Sequence, residues 1–86
     1  MIKIYRLEWW CAIDNRHKWT WLPLSEFHTN KDVLVPLLEE YKSVLDNCPS
    51  DDDTPLIKYV AEKTGEDIVD SRFNYPEIRE YNVIID

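Results

Sequence analysis

From Tyr5 to Ile13 the odd positions read Tyr, Leu, Trp, Cys and Ile, and the even ones are Arg6, Glu8, Trp10 and Ala12. Alternation of period two predicts a strand with one face turned inward. A second run, Lys18 to Phe27, is rich in β-forming residues, with Trp19, Thr20, Trp21 and Leu22 in sequence. Closing a hairpin over Asp14-Asn15-Arg16-His17 pairs Ile13 with Lys18, Cys11 with Thr20, Trp10 with Trp21 and Trp9 with Leu22. A two-residue turn at Asn15-Arg16 gives the same register. Successive side chains on a strand point to opposite faces, so adjacent Trp9 and Trp10 cannot share one core. The inward face predicted in this way carries Tyr5, Leu7, Trp9, Cys11, Ile13, Leu22 and Leu24. The outward face carries Trp10, Ala12, Trp19 and Trp21, bordered by Arg6 and Glu8. Pro23 has no N–H to give a ladder, so the second strand lies at a sheet edge there or ends early.

The period then changes. Leu34, Leu37, Leu38, Tyr41 and Leu45 recur at helical spacing, and Thr29-Asn30-Lys31-Asp32 supplies capping chemistry ahead of them. Pro36 is comfortable only in a first turn, which moves the expected start of the regular helix towards residue 35. Asn47-Cys48-Pro49 stops it. A second helix is marked at both ends, by Thr54 as N-cap with Pro55 following and by Gly65, the only glycine, at the C-cap. From Ile78 to Ile85 the alternation of Tyr81, Val83 and Ile85 predicts a last strand, and a β-branched terminus is expected to be buried. Ile68 to Phe73 is either a strand hairpinned to it across Asn74–Glu77 or an extended connector. The pattern therefore predicts an α+β domain: a three- to four-stranded, mostly antiparallel sheet, built from the N-terminal hairpin and the C-terminal strand, with two helices packed on one face.

Residues 1–86 are expected to form one domain, since the length leaves no room for a second core. Hydrophobic residues make up 44% and aromatics 13% of the chain, enough to exclude disorder. The formal charge of −7 is unevenly placed: residues 1–38 carry net +1 and residues 39–86 net −8. A surplus of that sign opposes direct binding to duplex nucleic acid. Cys11 and Cys48 lack zinc-ligand spacing and are expected to be free thiols of a cytoplasmic protein. No apolar run is long enough for a membrane span, and Met1-Ile2-Lys3-Ile4-Tyr5-Arg6 does not open a signal peptide.

Catalytic and cofactor motifs are missing. Neither GxxxxGK[ST] nor GxGxxG occurs, and there is no HExxH or GxSxG. His17 and His28 lack neighbours that would make them acid–base groups. Asp51-Asp52-Asp53 departs from EF-hand spacing, with no glycine at the sixth position and no glutamate at the twelfth. Three carboxylates ahead of a helix are accounted for by its dipole. No catalytic residue, cofactor or metal is expected.

Two surfaces remain as candidates for binding. Trp10, Trp19 and Trp21 are covered by another element, form a homodimer seam or hold a partner; a contiguous exposed aromatic patch favours an interaction site. Arg16-His17-Lys18 beside Trp19 and Trp21 also has the mixture used by single-strand binders, but the basic cluster is short. The acids Glu39, Glu40, Asp46, Asp51, Asp52 and Asp53, with Glu62, Glu66, Asp67 and Asp70, form the second surface, either a solvated face or a partial imitation of phosphates.

In size, acidity, aromatic richness and absence of catalytic motifs, the chain resembles the small inhibitors encoded by phages and mobile elements. Anti-CRISPR, anti-restriction and toxin-neutralising immunity proteins share that general character. The resemblance implies a non-enzymatic DNA-mimic or protein-binding inhibitor, acting in the host cytoplasm, that blocks a nucleic-acid-handling enzyme with a basic surface. It implies a monomer, or a homodimer through the tryptophans. The other expected role is a small regulatory or structural subunit docking by the same aromatic hairpin face.

Overall fold

The computed structural model describes residues 1–14, 16, 18–49, 52–72 and 74–84. The chain folds as an α+β domain with a four-stranded antiparallel sheet and two α-helices. Strand β1 (Ile2–Ile13) is the spine, and it is long enough to hold different partners along its length. Strand β2 (Lys18–Pro23) runs antiparallel along one edge of it in the register expected from the alternation: Trp9 opposite Leu22, Trp10 opposite Trp21, Cys11 opposite Thr20, Ile13 opposite Lys18. Asp14 closes the strand with a left-handed backbone (φ 58°), and its carboxylate accepts the Arg16 N–H at 2.7 Å. Asn15 and His17 lie outside the described residues.

Pro23 ends β2 opposite Glu8. The next residue, Leu24, donates its N–H to the Leu7 carbonyl at 2.8 Å, so position 23 faces away from β1 and its missing N–H leaves no gap. The ladder then breaks: the Leu7 N–H turns to the Ser25 hydroxyl at 3.0 Å. It resumes for one pair, where Tyr5 and His28 exchange backbone hydrogen bonds at 2.7 and 2.8 Å.

A short 3₁₀ turn (Lys31–Leu34), capped by the Asn30 side chain on the Asp32 N–H, leads into α1 (Val35–Asp46). Pro36 sits in the first turn of α1, where no N–H is required. Helix α2 (Thr54–Thr64) ends on Gly65 at φ 75°, the left-handed C-cap that a glycine adopts freely. Its N-cap is Asp53, so Thr54 belongs to the helix itself, one residue later than its capping chemistry suggests. The Asp52 carboxylate takes both the N–H and the hydroxyl of Thr54. Those hydrogen bonds hold the Asp52 carboxyl below its usual range.

Strands β3 (Ile68–Asp70) and β4 (Glu77–Val83) both add to the edge of β1 opposite β2. β4 pairs with Ile2–Glu8 and β3 with Ala12 and Ile13, where the register shifts. Of the two expected alternatives for Ile68 to Phe73, the hairpin with the last strand is therefore not formed. Each is paired to the spine, and residues 71–76 bridge the gap; Phe73, in the expected span, lies outside the described residues. The C-terminal strand also fails to bury its end. Val83 pairs with Ile2 on the face turned away from both helices and Ile84 follows the strand, so both are exposed; Ile85 is outside the described residues.

Both helices lie on the face of the sheet that carries the odd positions of β1. Leu7, Trp9 and Cys11 pack with Leu22, Tyr41, Leu45, Leu56, Val60 and Ile68 into one core. Trp9 is fully buried, and its indole N–H donates to the Asn74 carbonyl at 2.8 Å, so the largest core side chain also fixes the β3–β4 connection. Ser71, buried directly after β3, donates to the Asp53 carboxylate and ties the end of β3 to the start of α2.

Candidate functional site: the open face of the sheet

The even positions of β1 face away from both helices, and β2 and β4 extend that face on either side. Trp10 lies directly opposite Trp21, with ring centroids 5.3 Å apart and planes at 53°. Trp19, two pairs further on and opposite Ala12, stacks on Trp10 at 6.1 Å and 27°. Tilted and offset arrangements suit the ring quadrupoles and add about 0.5–1.5 kcal/mol per pair beyond area burial. Trp10 remains 36% exposed, and Trp19 and Trp21 are half-buried. Among the described residues no helix or strand covers them.

Arginines hold the rings in place. The Arg79 guanidinium lies 4.1 Å from the Trp21 centroid, and Arg72 lies 4.6 Å from that of Trp19. Further along the face Arg6 stacks on Phe27 at 4.2 Å. Phe27 in turn meets Tyr81 edge-on, with centroids 5.6 Å apart. Each cation over a ring contributes about 0.5–1 kcal/mol where water still reaches it. Arg72 is placed by an uncommon backbone, φ 53°, stabilised by its N–H to the Asp70 carboxylate at 3.1 Å.

Arg6 and Arg79 are cross-strand partners, an arrangement that repels unless an anion stands between them. Glu8 is that anion. It is 1% exposed; Arg6 Nε donates to its Oε2 at 2.8 Å and the Tyr81 hydroxyl to the same oxygen at 2.6 Å. Arg79 Nε stands 3.6 Å from Oε1, an ion pair without a hydrogen bond. A carboxylate buried on the outward face of a sheet is thus the hub from which two stacked arginines radiate.

Beside Trp10 the face opens into a groove of about 440 Å³, lined by Trp10, Trp21, Asn74, Tyr75 and Glu77. Tyr75 reaches round the sheet edge, and its hydroxyl donates to Asp46 on α1, which pushes its ionisation upward. Lys42 stands 5.7 Å from the same ring.

The structure therefore brings Trp10, Trp19 and Trp21 together and sets the acidic residues elsewhere. Glu39 and Asp46 share a shallow polar groove on α1, with Asp46 joined to the aromatic face only through Tyr75. Glu40 accepts the Tyr59 hydroxyl, which raises that phenol to about 12, and lies 4.0 Å from Lys63. Asp52 and Asp53 are taken up by Thr54 and Ser71 at the start of α2, and Asp51 lies outside the described residues. Among the described residues no three His, Cys, Asp or Glu side chains gather as metal ligands. No helix among them is long and apolar enough to cross a membrane.

Arg72, Tyr75, Glu77, Arg79 and Tyr81 belong to the face and were not singled out from the sequence. A signal exists: Glu77, Arg79, Tyr81 and Val83 share one parity, and Glu8 on the outward parity of β1 needs cationic neighbours. Comparison with known proteins returned no match, whether to a family model, a curated protein or a solved structure.

Proposed function

We propose that this protein is a non-enzymatic inhibitor that docks on a basic, nucleic-acid-handling enzyme through the open face of its sheet, in the manner of phage anti-defence proteins. The observation that carries the docking surface is the set of three tryptophans, pre-set by stacked arginines and left without a covering helix or strand among the described residues. Rings already ordered lose little freedom on association, so their burial converts efficiently into affinity. Net charge of −7 supports a basic partner, and carboxylates on the helical side act on it through the long-range field. Glu8 Oε2 is taken by Arg6 and Tyr81 and Oε1 faces Arg79, which leaves this carboxylate a structural anchor for the face.

A single-stranded nucleic acid would also stack on tryptophan. The protein reading is favoured because two of the three rings already carry a guanidinium, and Glu8, Asp70 and Glu77 share the face. The test is affinity capture from cells with wild type and with the Trp10→Ala/Trp21→Ala variant, followed by assay of the captured enzyme with purified protein added. A nucleic-acid enzyme retained by wild type, released by the variant and inhibited by wild type is expected. Equal retention by both proteins, or capture of oligonucleotide alone, would overturn the proposal.

A further inference from the structure

Trp10 differs from its two neighbours on the open face. Arg79 lies over Trp21 and Arg72 over Trp19, but no cation stands over the Trp10 ring among the described residues. This same ring, 36% exposed, forms a wall of the 440 Å³ groove. Glu77, on the groove's rim, is exposed and makes no ion pair among the described residues. A part-exposed indole without a cation over it and an unpaired carboxylate bordering one concavity are together complementary to a cation.

The kind of cation follows from chemistry. A guanidinium is planar and weakly hydrated, stacks on aromatic faces and meets a carboxylate with two parallel N–H groups. An ammonium is a strongly hydrated point charge and gives up more on entering an apolar groove. The face already places a guanidinium over an aromatic ring three times, with guanidinium carbons 4.1 to 4.6 Å from the ring centroids. The opposite wall is pre-set as well, since Asp46 holds the Tyr75 hydroxyl and the Asn74 side chain reaches back to the Trp10 carbonyl at 3.4 Å.

We propose that this groove seats one arginine side chain of the partner protein, its guanidinium stacked on Trp10 and paired with Glu77. The proposal rests on the reading of the open face as a protein-docking surface and names the chemistry of its anchor.

The test needs no partner. Acetyl-arginine amide is titrated into ¹⁵N-labelled protein, and the indole N–H signals are followed, with Trp10 assigned from Trp10→Phe. A saturable shift of the Trp10 signal is expected, weaker with acetyl-lysine amide and absent with the isosteric, neutral acetyl-citrulline amide. Glu77→Gln should weaken binding by about fivefold or more, a factor typical of losing one charge partner at a partly exposed site. Because Glu77 is exposed at the start of β4, the other indole signals of that variant should stay in place and report an intact fold. No saturable shift, an equal response to citrulline or lysine amide, or undiminished binding by Glu77→Gln would each overturn the assignment. If the groove fails while Trp10→Ala/Trp21→Ala still releases the captured enzyme, this proposal falls alone. If arginine binds but the enzyme ignores the tryptophans, the docking reading falls and takes the assigned occupant with it.

Discussion

At the scale of single residues, Glu8 and Cys11 show how much a side chain's neighbours decide. Glu8 faces outward yet is buried, because Arg6, Arg79 and Tyr81 close over it. Removing one member of a buried charge cluster strands the others. Glu8→Ala is therefore expected to cost about 3–5 kcal/mol, read from the midpoint of urea unfolding. A loss near zero would mean that the arginines find water as readily as they find Glu8. Cys11 is fully buried in the core, and burial, with a smaller push from Glu66, raises its thiol to about 11. Cys48 is half-buried at the end of α1, with its Sγ 3.3 Å from the Val44 carbonyl. Alkylation of native protein at pH 8 should modify Cys48 first and leave Cys11 until the chain unfolds, since the thiolate is the reacting species. Equal rates at the two thiols, measured by peptide mapping, would contradict the burial of Cys11.

At the scale of elements, the alternation of β1 and β2 was legible because period-two patterning places every side chain once the register is known. Trp9 and Trp10 make the point: adjacent in sequence, one is the centre of the core and the other the centre of the open face. Trp9→Ala should cost about 3–5 kcal/mol, enough to threaten a domain of this size, and it also leaves the Asn74 carbonyl without its donor. Trp10→Ala should cost markedly less, because that ring is part-exposed and no buried polar group depends on it. Thermal unfolding of the two variants separates them, and the opposite order would reverse the assignment of faces. Helix bounds were legible for local reasons, with Pro36 in a first turn and Gly65 at a left-handed cap. Within residues 68–83 the last strand was legible from its alternation, but the pairing of the two segments was not. A three-residue strand carries too little pattern to declare its partner, and local sequence favours a hairpin between neighbours. The structure instead pairs both segments with a spine 55 or more residues away in sequence. For the same reason Arg72, Glu77, Arg79 and Tyr81 were not assigned to the open face: parity groups the last three on one side of β4, but which side is open depends on a non-local pairing.

At the scale of the whole molecule, the two candidate surfaces separate, and the separation has kinetic consequences. The tryptophans form the open face of the sheet, while Glu39, Glu40 and Asp46 lie on α1 and Asp52 and Asp53 begin α2, packed on the other face. A single contact patch centred on the tryptophans therefore leaves most of those acids outside it. Distant carboxylates still bias diffusion of a basic partner, but their effect is screened over roughly 8 Å at physiological salt. Reversal of Glu39 and Glu40 to lysine should slow association at low ionic strength and leave dissociation nearly unchanged. Alanine at Trp10 or Trp21 should do the opposite, shortening residence time through loss of desolvated anchors. Stopped-flow or surface-based kinetics at two salt concentrations resolves both arms. Carboxylate reversal that speeds dissociation as strongly as loss of a tryptophan would place the helical face inside the contact, and the open sheet would then no longer be the principal docking surface.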